Sequence, residues 1–206
     1  MAQTTTGIRS ALSSPFLYEL FERTIGSDNV RRVFISRYVQ PMPGDAVLDI
    51  GCGPGDILQH MPAGIRYVGF DISPSYIESA TKRYGARGEF FVGGVDDVDP
   101  GALGQFNIVM AKSVLHHIDD EQAHKLFETA RGCLDESGRL VTLDACFAPD
   151  MSKFARFVIS KDRGQNVRTE HAYRALAERF FSAVSTNVHH DLLRVPYSHI
   201  VLVCRP

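Results

Sequence analysis

The absences in this 206-residue chain narrow its role first. No run of about 18 apolar residues occurs, so no membrane-spanning helix is expected. The opening residues, MAQTTTGIRS, lack the apolar core of a secretory signal. Neither sign of charge dominates: 22 Lys and Arg face 24 Asp and Glu, for a net charge of −2. That balance gives no electrostatic case for binding nucleic acid or an anionic membrane. Cysteine is sparse, with Cys52, Cys133, Cys146 and Cys204 scattered and no C-x-x-C pair. Buried free thiols, no metal site and a reducing, cytoplasmic location are therefore the expectation. There is no internal repeat and no low-complexity stretch. What remains is ordinary: 44% hydrophobic and 22% charged residues, enough for one globular domain with a real core.

Three nucleotide signatures are absent as well. No glycine-rich turn ends in Gly-Lys-Ser/Thr, which excludes a P-loop. The dinucleotide fingerprint needs Gly-x-Gly-x-x-Gly. Here the run Val47-Leu48-Asp49-Ile50-Gly51-Cys52-Gly53-Pro54-Gly55 places its third glycine one position early, and Asp56 follows. Asp56 puts negative charge where a phosphate needs positive potential, and Pro54 removes a backbone donor. This argues against an NAD-type oxidoreductase. No Asp/Asn-Pro-Pro-Tyr/Phe run follows the fourth apolar strand, so nothing points to a DNA amino-methyltransferase.

The turn itself is the strongest positive signal. A short apolar strand runs into three glycines, and a helix is expected over Asp56 to Met61: the first half of a nucleotide-type βαβ unit. The turn suits a ligand without phosphate, and Asp49 at the strand's end could meet a positive group. S-adenosylmethionine satisfies both demands, with an adenosine, an ammonium, a sulfonium and no phosphate. Downstream, Tyr67-Val68-Gly69-Phe70-Asp71 ends in an acid about 20 residues past the glycines, where a carboxylate bonds ribose hydroxyls. Ser73-Pro74 reads as the N-cap and first residue of a helix to Tyr84. Glu89–Gly93 and Phe106–Ala111 are the third and fourth strands. Ala123, Leu126, Phe127, Ala130 and Leu134 mark one face of a helix over Glu121–Leu134, and Arg139–Asp144 is a fifth strand.

Taken together, VLDIGCGPG (47–55), YVGFDIS (67–73), FFVGGVDDV (90–98), FNIVMAKSVLHHI (106–118) and LDESGRLVTLD (134–144) resemble the class I S-adenosylmethionine-dependent methyltransferases, in their small-molecule branch. The resemblance covers roughly residues 43 to 145 and departs from the family at Gly94, where relatives often carry Asp, and at 135–138, where many have a Pro-Gly-Gly turn. It implies a Rossmann-like, doubly wound α/β fold with helices on both faces. The seven-stranded sheet would be mostly parallel, with the last strand antiparallel. It also implies cofactor contacts from Asp49, Gly51, Cys52, Gly53 and Gly55 in the first turn. Asp71 would bind the ribose and Ile72 pack on the adenine. Val95 and one of Asp96 or Asp97 would meet the adenine edge, and the Ala111 carbonyl would accept from the methionine ammonium.

Around this core, the expected parts are an N-terminal helical cap (1–42), a cofactor-binding core (43–145), a helical insertion (146–179) and a C-terminal strand hairpin (180–206). The cap reads as two helices, one opened by Ser14-Pro15 over Leu17, Leu20 and Phe21. The other is capped by Ser27-Asp28 over Val30, Val33, Phe34 and Tyr38. The insertion carries helices near Met151–Ile159 and Thr169–Phe181 around a polar loop. It is either part of a substrate lid or an embellished crossover. Lys153, Arg156, Lys161, Arg163, Arg168 and Arg174 form a basic island within it. The island is either a solvated surface or a receptor for an anionic group on a small-molecule acceptor. Strands near Ala183–His189 and His199–Arg205 would close the sheet.

Methyl transfer needs nucleophile and methyl held in line, and an acidic hydroxyl needs its proton removed. His116 and His117, just past the fourth strand, are the candidate bases. The bland reading is that one caps a helix and the other fills core. His189, His190 and His199 are weaker candidates, and Lys112 is expected to face solvent. The expectation is O- or C-methylation of a small molecule; the alternative is a non-catalytic protein that senses S-adenosylmethionine.

Overall fold

The computed structural model describes residues 26–161 and 164–206. The expected helix at Ser14-Pro15 lies outside them. Strand β1 (Ala46–Ile50) shows how the sheet is built. Val47 and Leu48 point to opposite faces, and both are fully buried. One face carries Leu48, Val68, Phe70, Val109 and Leu140 against a helical layer that includes Leu126, Phe127 and Tyr173. The other carries Val47, Tyr67, Met110 and Val141 against Val30, Val33 and Phe34. A strand buried on both faces reads as an almost continuous apolar run, which is the signature of a doubly wound sheet.

The remaining strands are β2 (Arg66–Asp71), β3 (Glu89–Val92), β4 (Phe106–Lys112), β5 (Leu134–Phe147), β6 (Arg168–Thr169), β7 (Ala183–His189) and β8 (His199–Arg205). Their order across the sheet is β3-β2-β1-β4-β5-β8-β7, with the two-residue β6 beside the end of β5. Strand β8 runs antiparallel to both β5 and β7, and the others in the main path are parallel. The sheet therefore has the seven expected strands and one short extra.

Among the described residues the α-helices are α1 (Ser27–Val33), α2 (Pro74–Tyr84), α3 (Pro100–Leu103), α4 (Asp120–Cys133), α5 (Lys153–Ser160) and α6 (Glu170–Ala177). Ser73 caps α2, accepting from the Tyr76 N–H at 3.4 Å, with Pro74 as its first residue. Three expectations are corrected. Ser27 does not cap α1: Gly26, at φ 92°, holds that position with no side-chain bond, and α1 loosens into a π turn over Phe34–Val39. The helix expected over Asp56–Met61 is a single 3-10 stretch, Asp56–His60, and Met61 returns to extended backbone. Strand β5 begins at Leu134, five residues before the expected Arg139, because the register between β4 and β5 slips between Phe106 and Ile108. The side chain of Asp135 accepts from the Ser137 N–H and hydroxyl there, within the irregular stretch of β5 where the register shifts. All four cysteines are free and buried.

Candidate active site

The chain order reverses between β1 and β4, and the sheet opens at that point. Strands β1 and β4 stay paired only as far as Asp49 and Met110, whereas β4 continues beside β5 to Lys112. Ligands of open α/β sheets occupy the crevice beyond the carboxyl ends of strands at such a reversal. The glycine turn and the segment Lys112–Val114 form its two lips. Gly51 (φ 82°) and Gly53 (φ 56°) both have left-handed backbone. A Cβ on Gly51 would run into Val114 Cγ2, so the lips touch there. A Cβ on Gly53 would meet nothing within 4 Å, so the backbone faces open space. Opposite, Ser113 also has positive φ, 60°, with its N–H held by the Leu143 carbonyl at 2.7 Å. A serine in this conformation is strained, and such strain gathers at functional sites.

Backbone bonds fix the turn. Gly51 and Cys52 both donate to the Phe70 carbonyl, at 2.7 and 2.9 Å. The Asp71 carboxylate accepts from the Gly53 N–H and the Ser73 N–H, each at 2.9 Å. Two carboxylate oxygens have about four acceptor sites, so capacity remains for a pair of ribose hydroxyls. Burial raises the Asp71 pKa, against the pull of those two backbone bonds. Cys52 is buried with its sulfur toward Gly69, and burial together with Asp49 and Asp71 pushes its thiol well up. Its side chain is therefore packing rather than a nucleophile.

Asp49 lies deeper, at 2% exposure. Its Oδ2 accepts from the Tyr67 hydroxyl at 2.6 Å, and its Oδ1 has no hydrogen-bond partner. Burial pushes its carboxyl up to about 7, against the opposing pull of the Tyr67 bond and the Lys112 charge. An orphaned buried carboxylate oxygen beside the glycine turn fits a cationic ligand. Lys112 is half-buried, not solvent-facing, with Nζ 3.4 Å from the Ser113 hydroxyl.

At the far end of the crevice Ile72 is 49% exposed, a large apolar side chain left for a flat ring to cover. The bare Gly94 stands next to it: a Cβ there would lie 3.4 Å from Ile72 Cγ2. Asp97 accepts from the Gly94 N–H at 2.8 Å and so caps the 3-10 turn Val95–Asp97. Asp96 lines a cleft along α4 with Glu121, Gln122 and Lys125, and Val95 sends its side chain into the core. Ala111 is fully buried at the end of β4.

The two histidines sit on a 3-10 turn, Leu115–His117, that follows β4. His116 is buried at 5% exposure, and its Nδ1 lies 2.8 Å from Asp144 Oδ1. The same oxygen also accepts from the His116 backbone N–H at 3.2 Å. Asp144, on β5, is fully buried and its Oδ2 has no hydrogen-bond partner. The His117 ring is half-buried and lies against His116, with centroids 4.1 Å apart.

The basic island is dispersed. Arg168 is bound to the His-His turn and to Asp120, and Arg174 pairs with Glu178 at 2.6 Å. Arg156 lies over the Phe147 ring, and Arg163 is outside the described residues. On α5, Ala155 and Ile159 are buried while Phe154 and Phe157 are exposed. The three later histidines are engaged elsewhere. His189 meets the Tyr38 hydroxyl at 2.5 Å, where burial lowers the His189 pKa and raises that of Tyr38. His190 meets Ser198, and His199 is buried against Tyr197.

Tyr67, Ser113 and Asp144 escaped the sequence reading as site residues, and Arg168 was read only as part of the basic island, not as a partner of the His-His turn. Asp144 alone had a usable signal: like Asp49 and Asp71, it is an acid closing an apolar run.

Comparison with known proteins agrees with this geometry. Residues 47–138, a little under half of the chain, match the family described as "Methyltransferase domain". The cofactor of that domain is S-adenosylmethionine. The chain is similar to the magnesium-protoporphyrin O-methyltransferase of Rhodobacter capsulatus, 40% identical over 95 residues, 44% of this chain and 41% of that protein. It is also similar to the ubiquinone biosynthesis O-methyltransferase of Xanthomonas axonopodis pv. citri, 27% identical over 115 residues, 54% of this chain and 47% of that protein. It thus spans less than half of either relative. Among solved structures, the methyltransferase SibL superposes at a TM-score of 0.74 with 19% identity, over 97% of this chain and 61% of that one. The mitomycin 7-O-methyltransferase MmcR gives 0.68 with 22% identity, over 96% and 60%. At these identities the structures support the fold.

Proposed function

We propose that this chain is an enzyme that methylates a hydroxyl on a small-molecule acceptor, with His116 as the general base. The observation that carries this reading is the buried His116–Asp144 pair beside the crevice. A carboxylate accepting the Nδ1 proton leaves the Nε2 lone pair as the ring's acceptor site. That is the tautomer a base needs, and Asp144 also steadies the imidazolium once the proton arrives. His117, tilted against the His116 ring, contributes a wall of the acceptor site.

Bound S-adenosylmethionine supplies a methyl group already activated on a sulfonium. The chain's own work is then positioning, water exclusion and removal of the acceptor's proton. Asp71 holds the ribose, Ile72 covers one adenine face, and Val95 with one of Asp96 or Asp97 meets the adenine edge. Gly51, Cys52, Gly53 and Gly55 shape the turn, while Asp49 and the Ala111 carbonyl face the methionine ammonium. Residues 43–145 form the cofactor-binding part, 146–179 cover the acceptor side, and 180–206 complete the sheet. Arg168 and Arg174 are engaged within the chain and so do not offer the acceptor an anion receptor. The relatives named for O-methyl transfer favour oxygen over carbon as the nucleophile.

The test uses a panel of phenols, catechols and hydroxyquinones with methyl-labelled cofactor. His116→Ala should lower turnover by ~10²–10⁴-fold while cofactor affinity stays constant. His116→Ala turning over at the wild-type rate would remove the base from the mechanism.

A further inference from the structure

His116 can meet Asp144 of β5 only while the turn that carries His116 stays in place. Arg168, further along the chain, has all five of its donors engaged, two of them on the carbonyls of Leu115 and Ile118 that flank that turn. Its Nη1 donates to the carbonyls of Leu115 at 2.7 Å and Asn166 at 3.0 Å. Its Nη2 donates to the Ile118 carbonyl at 2.9 Å and to Asp120 Oδ1 at 2.7 Å. Its Nε donates to the same Asp120 oxygen at 2.9 Å. A guanidinium has five N–H donors in a fixed plane, and these are five bonds. The side chain is only 10% exposed, so these bonds are sheltered from water.

The neighbours of Arg168 grip the same dyad. The Asn166 N–H donates to the His116 carbonyl at 3.0 Å. Gly164 lies so close to the imidazole that a Cβ there would collide with His116 Cδ2. Tyr173, whose ring lies 5.7 Å from the guanidinium carbon, donates its hydroxyl to the Ala145 carbonyl at 3.0 Å, one residue past Asp144. The carbonyls on either side of the histidines and the strand carrying their carboxylate are thus held from one segment, 164–173.

We propose that Arg168 is a positioning residue: by bridging the Leu115 and Ile118 carbonyls it fixes the 3-10 turn so that His116 keeps its Nδ1 proton on Asp144. The inference rests on His116 being the working base, but the contact it predicts can be observed without turnover. A lysine cannot replace Arg168, because an ammonium has three donors that do not lie in one plane.

The experiment is nitrogen-15 imidazole NMR on the full chain, saturated with S-adenosylhomocysteine, for wild type, Arg168→Lys and Arg168→Gln. Thermal melting and calorimetric binding of S-adenosylhomocysteine run alongside. The wild type should show one His116 tautomer, protonated at Nδ1, with slow exchange of that proton. In a folded Arg168→Lys, S-adenosylhomocysteine affinity should stay within about 3-fold of wild type while the His116 Nδ1 proton exchanges at least ~10-fold faster and the tautomers mix. Added guanidinium should restore the wild-type spectrum in Arg168→Gln. Should both variants fail to fold, Asp120→Asn removes only the carboxylate under the guanidinium, and a smaller shift in the same His116 signal is expected. An unchanged His116 signal in a folded variant would overturn the proposal. If the signal moves in Arg168→Lys but His116→Ala retains full turnover, the positioning holds and the general-base reading fails.

Discussion

At the scale of single residues, Asp49 and Asp71 show one side-chain type put to two uses by its surroundings. Asp71 has two backbone donors, so its charge is supported at the rim of the crevice. Removing it with Asp71→Ala should weaken S-adenosylmethionine binding by roughly 1.5–3 kcal/mol, the worth of hydrogen bonds to a charged group. Calorimetry finding unchanged affinity would displace the ribose from this carboxylate. Asp49 is almost sealed off, with one phenolic donor and an orphaned oxygen, and its carboxyl titrates at about 7. Unfolding returns it to about 3.9. Between those values the folded chain holds a proton that the unfolded chain has released, so this residue's contribution to stability falls as pH rises through that window. Asp49→Asn keeps an acceptor for Tyr67 and removes the buried charge. It should melt higher than wild type at pH 8, and the gap should shrink by pH 5. The same variant should bind S-adenosylmethionine more weakly, because the cationic ligand loses its counter-charge. Wild-type binding at pH 6.5 should release a proton, seen as a dependence of the calorimetric heat on buffer ionisation enthalpy. A heat independent of buffer would mean that Asp49 does not sense the ligand.

At the scale of elements, local sequence explains most of what forms and tertiary contacts explain the exceptions. The sequence pattern placed β7 and β8 within their observed bounds, and Ser73-Pro74 marked the start of α2, because the alternation along the edge strand β7, the burial of both faces of β8 and N-capping each leave a local trace. The short 3-10 stretch after the glycine turn left no such trace. Its Ile57 and Leu58 are apolar enough for a full helix, but the segment packs on α1 and Met61 turns extended to reach β2. The early start of β5 depends on its pairing partner Phe106, and the bond from Arg168 to residue 115 joins positions 53 apart. Periodicity cannot reveal pairings of that kind. The glycine turn itself was legible because its requirement is intrinsic to the backbone. The structure separates its members. Gly51→Val should damage the turn by collision with Val114 as well as by its positive φ, lowering both melting temperature and cofactor affinity. Gly53→Ala has open space around its Cβ and carries only the conformational cost, on the order of 1 kcal/mol. Equal losses of melting temperature in the two variants would show that contact with Val114 does not hold the crevice lips together.

At the scale of the whole molecule, the crevice lies where β1 and β4 part, and both layers of helices pack against the strands that form it. A ligand seated there touches the turn after β1, the end of β2 and the end of β4 at once. Its binding energy is therefore linked to global unfolding rather than to a local opening. At 100 times its dissociation constant, S-adenosylmethionine or S-adenosylhomocysteine should add about 2.7 kcal/mol to the folded state. For a chain of this size each 1 kcal/mol moves the midpoint by about 2–4 °C, so a rise of about 5–11 °C is expected. NAD at the same concentration should produce no rise, because its pyrophosphate would meet Asp56 and Pro54 rather than a cradle of free N–H groups. The Arg83 guanidinium lies 2.7 Å from Asp56 Oδ1 and offsets part of that charge. Asp56→Asn should therefore leave the S-adenosylhomocysteine shift intact without creating an NAD response. An NAD shift matching that of S-adenosylhomocysteine would mean that the early third glycine does not discriminate between the two ligands, and the cofactor argument from the turn would have to be abandoned.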